Sequence, residues 1–287
     1  GKGDRSMDAL LYDEEPLLRY ATQQREHDPK INRVLHSHNH VCELIFVFAG
    51  EGAYLVNGCS HPIYPGDFLL GNQGDLHEVQ SAAPLEIGTL CFGIGGLRLR
   101  GLPPGCLTLP EDGFVRPTGR SMTRMGNLCR LLYEQMEEGS VRSRAAARHL
   151  FLALLPLALG FPADGRKERQ TESAVLVNRT GQYIAAHFAE PLTLARMGAD
   201  LHISPYHLAH VFKAVTGFSP MQYIIRRRMG EAQNLLISTD FSAAQIAAMV
   251  GYDSASHFSG IFRKVVGLPP AAYRKKYLEQ MQGKRIQ

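Results

Sequence analysis

What this 287-residue sequence lacks narrows its class before any motif is read. No apolar run reaches the roughly 20 residues that a membrane-spanning helix requires, and no secretory leader pattern is present, so a cytoplasmic protein with no membrane partner is expected. Cysteine is scarce: five residues, at positions 42, 59, 91, 106 and 129, an odd number with no C-x-x-C or other ligand spacing. That scatter argues against a disulfide framework and suits buried thiols in a reducing compartment. Charge of one sign is not abundant either, the net being only +4. Its distribution is uneven, however: from Arg166 onward there are 16 Lys and Arg against 8 Asp and Glu, out of 31 and 27 in the whole chain. One half only is therefore matched to a polyanion, for which the phosphate backbone is the natural candidate and a solvated basic surface the plain alternative.

What is there begins with a duplication in the basic half. Thr193, Met197-Gly198, Leu201, Ile203-Ser204, Phe212-Lys213, Gly217, Pro220 and Tyr223 recur as Ser242, Ile246-Ala247, Val250, Tyr252-Asp253, Phe262-Arg263, Gly267, Pro270 and Tyr273. The offset is 49 residues before the turn and 50 after it, so the second copy carries one extra residue in its turn. Each copy reads as a capped helix, a tight turn and a second helix opened by Ser204 or by Asp253 or Ser254, which is helix-turn-helix grammar. In the second helices Leu208, Val211, Phe212 and Val215, and likewise Phe258, Ile261, Phe262 and Val265, keep the spacing of one buried face. Short donors, imidazoles and cations are left on the other face, suited to base edges and phosphates in a major groove: Tyr206, Ala209, His210 and Lys213, then Ala255, Ser256, His257, Ser259 and Arg263. Between the copies, residues 221–238 read as one helix of about 27 Å, against the ~34 Å between successive major grooves on one side of a duplex. The run Arg226-Arg227-Arg228 is part of that helix.

Over roughly the last 110 residues this pattern resembles the DNA-binding domain of AraC/XylS-type bacterial transcription regulators. The resemblance implies double-stranded promoter DNA as partner, contact with RNA polymerase, and a bracing role for Arg228. It places the DNA-binding set at Ser204, Tyr206, His207, Ala209, His210 and Lys213 in one copy and Ser254, Ala255, Ser256, His257, Ser259 and Arg263 in the other. Gly198 stands where the family usually has Ala, which is expected to loosen that helix, and Ala209 and Gly260 stand where longer polar side chains are common.

The first half reads as β: residues 34–40, 44–48, 53–56, 68–70 and 86–92, separated by Gly, Asn, Pro and Asp turn signals, imply an antiparallel barrel or jelly roll. Residues 7–30 offer little beyond apolar pairs at Leu10-Leu11 and Leu17-Leu18. His36, His38 and Glu43, followed downstream by Pro65-Gly66-Asp67 and His77, resemble the two motifs of the cupin barrel, in which such residues face one another inside. Alternation would put His36 and His38 on one strand face, with His40 as the substitute in a slipped register. Imidazoles plus a carboxylate suit zinc, iron, nickel or manganese. The same four side chains would otherwise line a pocket for an organic effector, a sugar first among those the resemblance implies, or simply satisfy strand ends.

Residues 93–117 are expected to close the barrel over its surface. Residues 122–136 and 145–159 read as two helices, the second nearly all apolar and ended or kinked at Pro156; in similar regulators such helices pair two subunits, giving a homodimer, and the equal alternative is that both pack only on their own barrel. A helix over residues 174–188, with Val175, Ile184 and Phe188 inward, would open the DNA-binding domain. The expectation is an α+β two-domain chain: a cupin-like antiparallel β-barrel (jelly roll) with trailing helices over 7–160, a linker over 161–173, and an all-α double helix-turn-helix domain over 174–287. An effector-responsive regulator, an activator of carbohydrate or small-metabolite genes, is the function this implies; a metal-dependent cupin enzyme with an appended DNA-binding module, or an architectural protein without effector, are the alternatives.

Overall fold

The computed structural model describes residues 11–25, 33–81, 87–164 and 172–283. Its first half pairs two antiparallel sheets. One is ordered β1 (Leu17–Arg25), β7 (Gly88–Gly95), β2 (Val41–Ala49), β5 (Asp67–Gly71) and β8 (Val115–Pro117); the other runs β4 (Cys59–Ile63), β3 (Gly52–Val56) and β6 (His77–Ser81). Strand alternation sorts the side chains into two cores. From β2, β5 and β7, residues Leu44, Phe46, Phe68, Leu70, Leu90 and Phe92 point outward and are roofed by α1 (Met122–Glu138) and α2 (Val141–Leu159). Their neighbours Ile45, Val47, Leu69 and Cys91 point inward and meet Tyr54, Val56 and Ile63 of the smaller sheet. Glu43, which precedes the inward Ile45 by two, is thereby carried into the interior, 6% exposed.

The antiparallel barrel follows the sequence pattern, but four strands do not appear in it. β1, β4, β6 and β8 escape because their apolar residues do not run in blocks: Thr22, Gln23 and Gln24 of β1, and Ser60 and His61 of β4, break them. Conversely, residues 34–40 form no strand. Only His36 pairs, through an isolated bridge to His77 in which each amide donates to the other's carbonyl, at 3.0 and 2.8 Å. Residues 38 and 39 are tied instead to the 72–77 turn by the Gly74 amide and the Gln73 side chain. Leu10 and Glu86 lie outside the described residues. Pro156 does not end α2, which continues to Leu159.

The helical half comprises α3 (Glu172–His187), α4 (Leu194–Leu201), α5 (Pro205–Thr216), α6 (Pro220–Ser238), α7 (Ala243–Met249), α8 (Ala255–Val266) and α9 (Pro270–Gly283). Thr193, Ser204, Ser219, Ser242 and Ser254 each accept a hydrogen bond from the amide three residues on, the N-cap arrangement whose loss costs about 1 kcal/mol per helix. Two cores flank α6. One gathers Val177, Ile184, Met197, Leu208, Phe212 and Tyr223; the other gathers Met229, Ala232, Leu236, Ile246, Phe258, Phe262 and Tyr273. Val175 faces solvent at 46% exposure, and Val177 takes the inward position assigned to it. Gly198 does not loosen its helix: a Cβ there would lie 2.7 Å from the Ile203 carbonyl oxygen and 3.1 Å from the Pro205 ring, so the missing side chain makes room for the tight turn.

The two halves share core residues. Leu35, Leu55 and Leu76 of the barrel belong to the first helical core and Val34 to the second. Leu55 reaches it because it alternates with the inward Tyr54 and Val56 on β3.

Candidate effector site and nucleic-acid interface

Four side chains converge at the barrel end where the 36–38 segment meets β6 and β2. His36, His38, Glu43 and His77 each bring one ligand atom to within 4.8 Å of all the others. Glu43 is the hub: its Oε2 lies 2.9 Å from His77 Nε2 and its Oε1 lies 3.2 Å from His38 Nε2. His36, Glu43 and His77 are buried, while the His38 side chain keeps 20% of its surface and marks the solvent side. His38 reaches the group from a non-strand segment, its ring centroid 4.9 Å from that of His36. His40 is exposed and takes no part.

Hydrogen bonding fixes which nitrogens face inward. His36 Nδ1 is 3.1 Å from the Val34 carbonyl oxygen and His77 Nδ1 is 3.0 Å from that of Asp75; a carbonyl only accepts, so both Nδ1 atoms carry the proton and donate. The Nε2 atoms are then the ones available to a shared centre, the anchoring that orients metal-bound histidines. His38 Nε2 is buried without an aligned hydrogen-bond partner, although Glu43 is near. Burial pushes the His36 imidazole well below its usual pKa, with Arg33 adding to the effect, so that ring is neutral and ligand-competent. At His77 burial pulls the value down, but the Glu43 carboxylate 2.9 Å from Nε2 outweighs it, and the value is raised. Burial would raise Glu43, yet His38 and His77 hold its carboxyl well below the ordinary range.

First-row metals bind imidazole nitrogen and carboxylate oxygen at about 2.0–2.2 Å, which sets neighbouring donors about 3–4 Å apart. A small contraction of the present cluster meets that requirement, and three nitrogens with one carboxylate fit zinc, iron, nickel or manganese. The sequence reading did not find Tyr20, whose hydroxyl donates to Glu43 Oε1 at 2.5 Å, or Cys91, a buried thiol that burial and the nearby Glu43 carboxylate hold well above its ordinary pKa. Both sit on strands with no motif to mark them. The interior beside the cluster is filled by Ile45, Val47, Tyr54, Val56 and Leu69.

In the helical half the outward faces are open. Tyr206 is 83% exposed, His207, His210 and Lys213 are exposed, and Ala209 is half-buried beneath them. Tyr206 and His210, one turn apart, hold their rings nearly parallel, 11° between planes at 6.4 Å. On α8, Ala255, Ser256, His257 and Arg263 are exposed, Ser259 is half-buried, and Gly260 has open space where a side chain would stand. Ser254, not Asp253, caps α8; Ser204 caps α5, so both hydroxyl oxygens serve first to fix the helix ends. The arginine run is engaged elsewhere. Arg226 pairs with Glu78 of the barrel, Arg227 with Glu231, and Arg228 donates to the Phe188 and Glu190 carbonyls, bracing α6 as the resemblance implies.

Residues 197–276 match the family model of a helix-turn-helix domain, and residues 20–155 that of the AraC-like ligand binding domain. The chain belongs to the AraC family of transcriptional regulators. It is similar to the uncharacterized HTH-type transcriptional regulator YdiP of Escherichia coli, 26% identical over 253 residues that cover 87% of this chain and 84% of that one. It is also similar to the HTH-type transcriptional activator RhaR of Klebsiella pneumoniae, 25% identical over 247 residues, covering 84% and 87%. Among solved structures, the C-terminal domain of AraT, a response regulator from Geobacillus stearothermophilus, is 35% identical at a TM-score of 0.36, covering 38% of this chain and 88% of that one. This AraC-family chain is thus an effector-responsive DNA-binding regulator, with its ligand-binding domain ahead of its helix-turn-helix domain. Among the described residues no helix is long and apolar enough to cross a membrane.

Proposed function

We propose that this AraC-family regulator senses a divalent transition-metal ion at His36, His38, Glu43 and His77 and binds promoter DNA through α5 and α8. The observation that carries the reading is the convergence of three imidazoles on one carboxylate, with His36 and His77 anchored through Nδ1 so that Nε2 faces inward. A sugar, the effector implied by the family resemblance, would need hydrogen-bonding groups but no such convergence of unshared nitrogen pairs. Tyr206, His210, Ser256 and His257 supply base contacts and Lys213 and Arg263 phosphate contacts, supported by their exposure on capped helices. Activation is carried over from the activators among its relatives, and RNA polymerase would be the second partner. The barrel is assigned to sensing, not turnover, on the strength of relatives named as regulators. For the homodimer, α1 and α2 offer a groove lined by Leu131, Gln135, Ala146, His149, Leu150 and Ala153, with Leu131 44% exposed.

A thermal-shift screen of the metal-stripped protein tests the effector. At 100 times its Kd an ion that binds only the folded state adds about 2.7 kcal/mol, which moves the barrel's melting temperature by on the order of 5–10 °C. A shift with zinc, nickel, manganese or iron that disappears in His77→Ala is expected. A shift with sugars and none with metals would overturn the metal assignment.

A further inference from the structure

Gly230 is out of place in the middle of α6, where glycine weakens a helix relative to alanine. A Cβ at this position would stand 2.0 Å from the Leu35 carbonyl oxygen and 3.0 Å from that of Val34. The bare backbone thus lets residues 34–35 of the barrel lie directly on the helix that joins the two helix-turn-helix units. Polar groups fasten the same seam. The Val34 amide donates to Gln233 Oε1 at 3.1 Å, the Leu35 amide to Glu78 Oε2 at 3.2 Å, and Arg33 to Asn234. The Glu78 carboxylate, 2% exposed, also accepts from Arg226 Nε at 3.0 Å and from its Nη2. Val34 then enters the core of the second unit and Leu35 that of the first.

The seam and the four-residue site are covalent neighbours twice over. Leu35 precedes His36 and Glu78 follows His77, while His36 and His77 bridge each other through paired backbone hydrogen bonds. Each dipeptide turns one side chain into the site and the next toward α6. We propose that this bridge transmits occupancy of the site to the DNA-binding half: with His36 and His77 drawn to coordination distance, residues 34–36 and Glu78 shift, and Gly230 and Arg226 pass the shift to α6. Close packing at Gly230 leaves no slack to absorb it. Only a difference in affinity of the site for two positions of α6 produces coupling, and the double covalent link supplies the means for one. This inference rests on the metal reading above and adds the path.

The test uses the full chain, zinc chloride as probe, calorimetry for binding, and hydrogen–deuterium exchange in peptides covering residues 33–38 and 224–236. In the natural sequence zinc is expected to slow exchange in both peptides by about threefold or more. In Gly230→Ala, zinc affinity should stay within about threefold and peptide 33–38 should still respond, while the response of 224–236 is lost. Glu78→Gln, which keeps the volume and an acceptor for the Leu35 amide, should halve that response without touching a ligand of the site. Equal transmission in the natural protein and in both variants overturns the path, as does zinc that binds the natural protein and slows neither peptide. Absence of zinc binding in the natural protein instead sinks the metal reading, and the inference with it.

Discussion

Replacing Glu78 with alanine should be among the costliest single changes outside the apolar cores. Its carboxylate is buried and accepts three bonds, two from Arg226 and one from the Leu35 amide. Breaking one side of a buried ion pair costs about 3–5 kcal/mol. The lower end applies here, because the Arg226 side chain retains 22% exposure and also lies over the Phe218 ring at 4.9 Å. The stranded Leu35 amide, fully buried with its residue, adds about 1–3 kcal/mol. A total near 4 kcal/mol, over a urea m-value of about 3 kcal/mol/M for a chain of this size, predicts that the denaturation midpoint falls by on the order of 1 M. Glu78→Gln keeps an acceptor for the amide and should lose less than half as much. A midpoint shift below about 0.3 M for the alanine variant, or equal shifts for the two, would refute the assignment of the seam to this carboxylate.

Four further outcomes are expected. On an operator recovered by selection from random duplexes, Tyr206→Ala or His210→Ala should weaken binding by about 1–3 kcal/mol with the salt slope unchanged, whereas Lys213→Ala or Arg263→Ala should reduce that slope by about 0.9 each; gel-shift titrations at several salt concentrations decide. Gly198→Ala, which helix propensity alone would favour by about 1 kcal/mol, should instead destabilise by about 1–3 kcal/mol in thermal melts, since the new methyl meets the Ile203 carbonyl. Glu43→Gln should abolish metal uptake, measured by elemental analysis after dialysis. Because the folded-state pKa of Glu43 is depressed, its contribution to the metal-free protein is present above its unfolded value near 4.3 and lost as pH falls through the folded value; the acid limb of a stability–pH profile should therefore be steeper in the natural protein than in Glu43→Gln.

The sequence made the helical half legible because its signals are local. Ser and Thr caps, Gly217 and Gly267 at left-handed helix ends, and apolar residues at helical spacing set each element without reference to distant chain. The same locality made His36, His38, Glu43 and His77 readable as a set, though the reason given for the pairing was wrong: His36 and His38 meet through a bridge and a turn, not along a strand. What stayed hidden was non-local. β4 and β6 are strands because β3 lies between them, and their own residues do not advertise it. Nothing near Arg226 in the sequence marks its role, because its partner Glu78 lies 148 residues away. Gly198 reads from the sequence as a weak point and Gly230 carries no signal, because the atoms that fill their space, Ile203 and Pro205 in one case and Leu35 in the other, come from outside their helices.

The division of Val34 and Leu35 between two helical cores bears on how such regulators can be recombined. Sensor and reader here are not interchangeable cartridges. A chimera that grafts this barrel onto another reader would need a glycine to face Leu35, a cation to meet Glu78 and two hydrophobic sockets one residue apart, or the junction would leave greasy surface and an orphaned carboxylate. Lineages that trade effectors by shuffling domains must therefore exchange the facing side of α6 along with the barrel.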